Sequence, residues 1–404
     1  MMDQARFDPP PPERLRDGHG AKWTSIDADV IPAWVADMDL GIPPAVRAHL
    51  AETLDRQDLG YPFWPGPDPV VEAFADRMES EYRWSPTPGK ARVMSDLIQI
   101  LQVVIEYTTE PGDSVAVHVP CYPPFLAAIH RAGRRIAPLR ISRTQDGWHV
   151  DPERDQALFE QYRPRLLLLV NPHNPTGHVF GEAELVWLAE LAAQFGTTVM
   201  SDEIHADLAY SKGRHIPFAS LDPAIAALTI TATSATKAFN LAGLRCAVAH
   251  FGHAPTFARI EAAPLDFFGT PSVLSRVATV AAWRESREWH QSLMALLSAN
   301  RDRVARWALS QPGVSFAPPD ATYLAWLDFG GTPLVDGAKP DPAGVLLRDA
   351  RVQLSPGRDF GHHATGVPED ETSTHARLNF ATTPDVLEKV LGRITSAIRE
   401  REDR

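Results

Sequence analysis

Residues 166–170 read Leu-Leu-Leu-Leu-Val, an apolar run with no polar position to turn toward water. A strand of that kind must be covered on both faces, which points to a mostly parallel sheet between layers of helices. Similar short apolar runs stand at 114–119, just after the turn Pro111-Gly112-Asp113, and at 197–201, 228–233 and 247–251. With a strand at 165–170 and helical stretches such as 182–195 in between, they predict an α/β fold. Past residue 284 the pattern changes. A long helical stretch at 284–309 leads into 313–329, and two further helical patterns follow at 342–351 and 384–399. The expectation is a large domain over 51–285 and a smaller α+β domain over 286–404, which an N-terminal segment, 1–50, joins.

A chain of 404 residues accommodates two such domains. Its formal charge of −12 argues against a general nucleic-acid or anionic-membrane binder, though not against a local basic pocket for a small anion. Two cysteines, Cys121 and Cys246, make neither a disulfide framework nor a zinc cluster, so no metal site is expected and a reducing cytoplasm suits the chain. The polar, proline-rich 1–12 does not read as a signal peptide, and the apolar runs are too short to span a bilayer.

Ligands of a parallel sheet bind beyond the carboxyl ends of its strands, and three polar motifs fall there. Asn171-Pro-His-Asn-Pro-Thr-Gly177 follows one strand, Ser201-Asp-Glu-Ile-His205 closes another, and Ser234-Ala-Thr-Lys237 follows a third, with Gly243 and Arg245 beyond. Each has an ordinary structural explanation: a tight turn for the first, a helix cap at Asp202, a surface lysine at Lys237. Together they suit an aldehyde cofactor bearing a phosphate. Lysine can form an imine, Ser234 can donate to the phosphate, and Arg245 can pair with it bidentately. Asp202 can keep a pyridine nitrogen protonated, as an electron-sink cofactor requires.

In order and spacing these motifs resemble those of fold-type I enzymes that use pyridoxal 5′-phosphate (PLP), the aspartate-aminotransferase-like fold. Further matches resemble the MalY/PatB branch of cystathionine β-lyase-like C–S lyases. They are Lys22-Trp23, Trp34-Val-Ala-Asp-Met-Asp39, Leu59-Gly60-Tyr61, Pro120-Cys-Tyr-Pro-Pro-Phe125, Lys237-Ala-Phe-Asn240 and Arg377-Leu-Asn379. The resemblance implies that Lys237 carries the cofactor and shuttles the proton, that Asp202 pairs with the ring nitrogen, and that Asn174 and His205 face the 3′-oxygen. It implies that Tyr122 stacks on the ring, and that Arg377, with Ala36 and Asn174 beside it, takes the substrate. Arg377 would clamp the α-carboxylate. Ser234, Arg245 and the main-chain amides of Leu97 and Ile98 would hold the phosphate. Tyr61 would reach the phosphate of a second subunit, which implies a homodimer with shared sites.

Where relatives have a small residue beside the phosphate, this chain has Asp96, which is expected to cap its own helix. The resemblance implies β-elimination from cystathionine or another cysteine S-conjugate, giving a thiol, pyruvate and ammonia. An aminotransferase, or a natural-product enzyme of decarboxylation-linked deamination, is the alternative. A ligand-sensing DNA-binding regulator is not expected, because only the proline-rich N-terminus precedes Lys22.

Overall fold

The computed structural model describes residue 7 and residues 9–144, 147–211, 215–264, 266–335, 339–364 and 370–403. Its large sheet runs, in spatial order, Ala91–Met94, Ala247–Phe251, Thr229–Thr233, Thr198–Asp202, Leu166–Val170, Ser114–Val119, Arg135–Thr144 and Gly147–Val150. The strands from Thr229–Thr233 across to Arg135–Thr144 pair in parallel. Every residue of Leu166–Val170 is buried, as its lack of a polar position requires. Its side chains nevertheless alternate. Leu166 and Leu168 pack with the helix Leu97–Thr108, while Leu167 and Leu169 pack with the helix Glu182–Phe195.

Two details refine the expected mostly parallel sheet and the expected helical stretch at 284–309. The strand Ala247–Phe251 lies in the sheet but runs antiparallel to both neighbours. A parallel return needs a crossover, and between Thr233 and Ala247 the chain forms only turns and the 3-10 segment Ala242–Leu244. The helical stretch at 284–309 is not one helix: Val273–Glu285 ends and Arg287–Leu309 begins on either side of Ser286. The Ser286 hydroxyl donates to the Ala281 carbonyl at 3.0 Å and so satisfies an acceptor in the last turn of the first helix.

A second, four-stranded sheet is antiparallel, in the order Ser315–Phe316, Leu324–Asp328, His375–Asn379, Ser355–Pro356. N-terminal residues Ile31–Pro32 pair with Val352–Gln353, which ties the start of the chain to this part. A buried ion pair, Lys22 Nζ to Asp39 Oδ2 at 2.9 Å, closes the same segment on itself, and Trp23 Nε1 donates to the other carboxylate oxygen at 2.6 Å. That contact accounts for the Lys-Trp motif in physical terms. Among the described residues, no helix is long and apolar enough to cross a membrane.

The turn after Leu166–Val170 meets the C-terminal part at Gly177. Its carbonyl accepts from the amides of Asp320 and Ala321 at 3.0 and 3.1 Å. Its φ is +72°, and a Cβ there would stand 2.2 Å from Pro319 Cβ and 2.9 Å from the Ala321 oxygen. Both the backbone conformation and the close approach require glycine. Gly177→Ala is therefore expected to destabilise the protein by roughly 2–4 kcal/mol, read as a lower midpoint in urea unfolding. A midpoint equal to wild type would show that the two segments can separate without cost.

Candidate active site

The parallel strands end on one cavity of about 200 Å³. Val170, Asp202 and Ser234 line it from successive strand ends, and Asn174, His205, Thr236 and Lys237 from the turns that follow. Leu97 and Ile98 line it from a helix start, with Ala36, Tyr122 and Arg245 completing the wall. Three larger clefts, of about 690, 660 and 320 Å³, contain neither the lysine nor the strand-end acid. Volume alone would therefore have chosen wrongly.

Asp202 is the last residue of its strand and is buried. Its Oδ1 accepts from the Ile204 amide at 3.1 Å, an Asx-type turn instead of the helix cap that its position also allowed. Burial pushes its carboxyl up to about 7, against the opposing pull of the Ile204 N–H and Lys237. Burial also drives the His205 imidazole down to about 3, helped by the charges of Lys237 and Arg377, so the ring is neutral at physiological pH. Its Nδ1 is a buried atom without a hydrogen-bond partner among the described residues. The Lys237 amine is lowered by burial, with Arg377 adding to the effect and Asp37 opposing it.

Arg377 sits mid-strand in His375–Asn379 and is 4% exposed. It donates to Asn174 Oδ1 at 2.9 Å, to the Trp34 carbonyl at 3.0 Å and to Ser355 Oγ at 3.3 Å, and its plane lies 5.0 Å from the Phe360 ring centre. All of those acceptors are neutral. Burial therefore lowers the guanidinium to about 10, and its Nε is a buried donor with no acceptor among the described residues. A buried cation held only by neutral groups is poised for an anion.

The helix start provides a second anion corner. The Asp96 carboxylate takes the Gln99 amide at 2.8 Å and its carbonyl takes the Ile100 amide at 3.0 Å. The amides of Leu97 and Ile98, ahead of these, meet no acceptor among the described residues. The other Asp96 oxygen forms an ion pair with Arg245 Nη1. Asp96 thus caps its helix as expected. It also engages the arginine, a partnership that the sequence reading did not foresee. Ser234 donates to the Cys246 carbonyl and contacts Thr236 Oγ1 at 2.9 Å, so either hydroxyl must turn to reach a phosphate. Thr236, inside the Ser234–Lys237 motif, adds a second hydroxyl to the cavity that the sequence expectations do not include. Tyr61 lies outside the cavity and is fully exposed, with Leu59 and Phe63 exposed beside it.

Residues 34–394 match the family "Aminotransferase class I and II". The chain belongs to that family. It is 33% identical to the cystathionine β-lyase of Corynebacterium glutamicum over 387 residues, 96% of this chain and 98% of that one. It is 30% identical to cystathionine β-lyase PatB of Bacillus subtilis over 373 residues, covering 92% and 93% of the two chains. Among solved structures, the PLP-bound C–S lyase of Staphylococcus hominis superposes with a TM-score of 0.85 at 28% identity, covering 95% of this chain and 98% of that one.

The family cavity can be tested against pyridoxal phosphate on its own atoms. Lys237 offers an amine to the aldehyde. Asp202, pushed upward by burial, gains most from a cationic ring N–H beside it. Leu97 and Ile98 offer free amides, and Arg245 a cation, to a phosphate. The residues fit the group.

The raised Asp202 pKa carries a pH signature in cofactor-free protein. A carboxyl whose pKa rises on folding favours the folded state fully below its unfolded value of 3.8, and that contribution is lost as pH climbs through about 7. Asp155, also raised to about 7, acts in the same window, so the comparison must be with a variant. Asp202→Asn should flatten the fall in stability over this window relative to wild type, by roughly 1–4 kcal/mol. Parallel stability–pH curves from urea unfolding would contradict it.

Proposed function

We propose that the protein is a PLP-dependent C–S β-lyase that cleaves cystathionine or another cysteine S-conjugate to a thiol, pyruvate and ammonia. The observation that carries the reading is Lys237 Nζ, in one cavity with the buried acid Asp202 and close to Arg377, a buried cation with only neutral partners. The cystathionine β-lyase relatives, similar over nearly the whole chain, support the choice of reaction.

Bound pyridoxal phosphate supplies an electron sink that weakens the bonds at the Cα of an attached amino acid. Asp202 holds the proton on the ring nitrogen. Asn174, the neutral His205 and Tyr122, which line the cavity, would hold the cofactor's ring and its 3′-oxygen. Arg377, Asn174 and the Ala36 backbone would orient the substrate carboxylate and bring the Cα proton to Lys237 Nζ. Lys237 Nζ takes the Cα proton, and burial favours the neutral amine that this requires. The Cβ–S bond then breaks, the electron pair leaves on sulfur, and a proton converts it to the thiol. Water completes the conversion of the three-carbon remainder to pyruvate and ammonia. Ser234, Arg245 and the amides of Leu97 and Ile98 hold the phosphate.

The reading extends to assembly. Leu59, Tyr61 and Phe63 are exposed together in one loop, Tyr61 fully and Phe63 at 82%. They support a homodimer in which Tyr61 completes the partner's phosphate site. The helix break at Ser286 supports a division into 1–50, 51–285 and 286–404. Two buried free cysteines support a reducing, cytoplasmic setting.

The test is incubation with L-cystathionine and a panel of S-substituted cysteines, with thiol, pyruvate and keto acid measured together. Thiol and pyruvate are expected in equal amounts; keto-acid exchange without thiol would replace the lyase by an aminotransferase. Borohydride is expected to fix the cofactor to Lys237. Arg377→Ala should keep the cofactor yet lose at least about tenfold in kcat/KM, from a charge-assisted contact of about 1.5–3 kcal/mol. Unchanged kcat/KM would remove Arg377 from the substrate site. Sedimentation should give a dimer, and a fully active monomer on dilution would exclude shared sites.

A further inference from the structure

Tyr323 belongs to none of the motifs at the strand ends, yet it is 1% exposed and its hydroxyl reaches the cavity wall. It donates to the Ala36 carbonyl at 2.9 Å. Lys237 Nζ donates to the same oxygen at 2.8 Å. A carbonyl oxygen has two lone pairs, and here both are taken. The Tyr323 ring also stands edge-on to His205, 6.4 Å between centres at 81°.

The shared oxygen cannot turn away. On one side the Trp34 carbonyl is held by Arg377 at 3.0 Å and Ser355 Oγ at 2.9 Å. Asn379 Nδ2 holds the carbonyls of Val35 and Asp37, each at 2.6 Å, and Lys22 Nζ also reaches that of Asp37, at 3.2 Å. Tyr323 is fixed in turn. The Phe380 amide donates to its carbonyl at 2.9 Å, and the Thr322 amide donates to the Leu208 carbonyl at 3.1 Å. The arrangement is a rigid strap whose one carbonyl facing the lysine is shared with a phenol.

We propose that Tyr323 is a positioning residue for Lys237: through the Ala36 carbonyl that both share, its hydroxyl sets where the lysine amine rests when not joined to the cofactor, and how strongly that carbonyl holds an ammonium there. The inference rests on the reading of Lys237 as the cofactor-bearing lysine. A carbonyl already accepting from a phenol is a weaker acceptor for a second donor. An ammonium loses more by this than a neutral amine does, because charge-assisted bonds are the stronger ones. The neutral amine keeps one N–H on the carbonyl and its lone pair free, which is the state needed to attack an aldehyde or to take a proton from Cα. The charged and titratable groups that act on Lys237 from the surrounding elements are Asp37 on the strap, Arg377 on the C-terminal strand, Asp202 and His205 at the strand end, and Arg245. Replacing only the phenolic hydroxyl leaves all of them in place.

A merely structural tyrosine would satisfy a buried carbonyl and nothing more. Tyr210 provides that comparison. Its hydroxyl is part of the same region, donating to the Thr322 carbonyl at 2.7 Å, without touching the strap. The experiment follows the rate of pyridoxal phosphate uptake by cofactor-free protein against pH, for wild type, Tyr323→Phe and Tyr210→Phe. Borohydride reduction and peptide mapping identify the lysine. Tyr323→Phe should move the midpoint of the pH–rate curve upward by on the order of 0.5 pH unit or more, with slower uptake below it. Tyr210→Phe should lower the unfolding midpoint and leave the pH–rate midpoint unmoved. A fluorotyrosine at position 323, a stronger donor of the same shape, should move it downward, and it serves if the phenylalanine variant does not fold. An unmoved midpoint for both position-323 proteins, or equal shifts for Tyr323→Phe and Tyr210→Phe, overturns the proposal. Wild-type uptake at a lysine other than Lys237 overturns the cofactor reading, and this inference with it.

Discussion

The carbonyls of the segment 34–37, which bends at Val35 and Ala36, join the site together. Arg377 and Ser355 hold Trp34, Asn379 holds Val35 and Asp37, and Lys237 and Tyr323 share Ala36. The buried Lys22–Asp39 pair fixes the far end. Buried carbonyls must find donors, and here the donors are side chains from four distant stretches of sequence. The need to satisfy the backbone and the need to place an arginine and a lysine around one cavity are met by the same hydrogen bonds. Breaking the buried pair would be costly, since a lone buried carboxylate loses roughly 3–5 kcal/mol.

A second constraint is electrostatic. Lys237 and Arg377 are both lowered by burial and each lowers His205, while Asp202 is raised to about 7. Every one of these shifts is led by desolvation, so each group stands to gain from a partner that the protein does not itself provide. Paired structural ions look different. Asp207, part-buried, is also pushed up by desolvation, but the Arg77 guanidinium against it, bonded at 2.9 and 3.0 Å, outweighs that push and holds the carboxyl low. The contrast separates a binding cavity from a structural salt bridge more sharply than cavity volume does.

Much of this is legible in the sequence. Unbroken apolar runs require a two-sided sheet, and the polar motifs after them had to lie at its carboxyl edge. What stayed hidden depends on contacts between residues far apart in sequence. The reversed direction of Ala247–Phe251 follows from the missing crossover between Thr233 and Ala247, whereas the strand's own apolar pattern is the same for either direction. Tyr323 reads as one more core aromatic, because nothing local marks a hydroxyl that bonds a carbonyl hundreds of residues earlier. Ser286 carried a readable sign, a hydroxyl residue inside an otherwise helical pattern, but its bond to Ala281 decides that the helix ends there.

Asp96 shows how local and tertiary demands are reconciled at one position. An acid beside a phosphate corner is unfavourable on charge alone. One of its oxygens, however, caps the helix through Gln99, which leaves the earlier amides of Leu97 and Ile98 facing the cavity. The other oxygen holds Arg245, whose side chain is 64% exposed and whose φ of 49° is already unusual for a non-glycine residue. An exposed arginine on such a backbone has many rotamers to lose on binding an anion, and the pair with Asp96 removes part of that entropy beforehand. The negative charge weakens the corner's field, while the same side chain orders both its main-chain donors and its cation. The helix cap through Gln99 acts at every ionic strength, whereas the exposed pair with Arg245 weakens as salt rises. The repulsion, at the partly exposed edge of the cavity, is screened by salt.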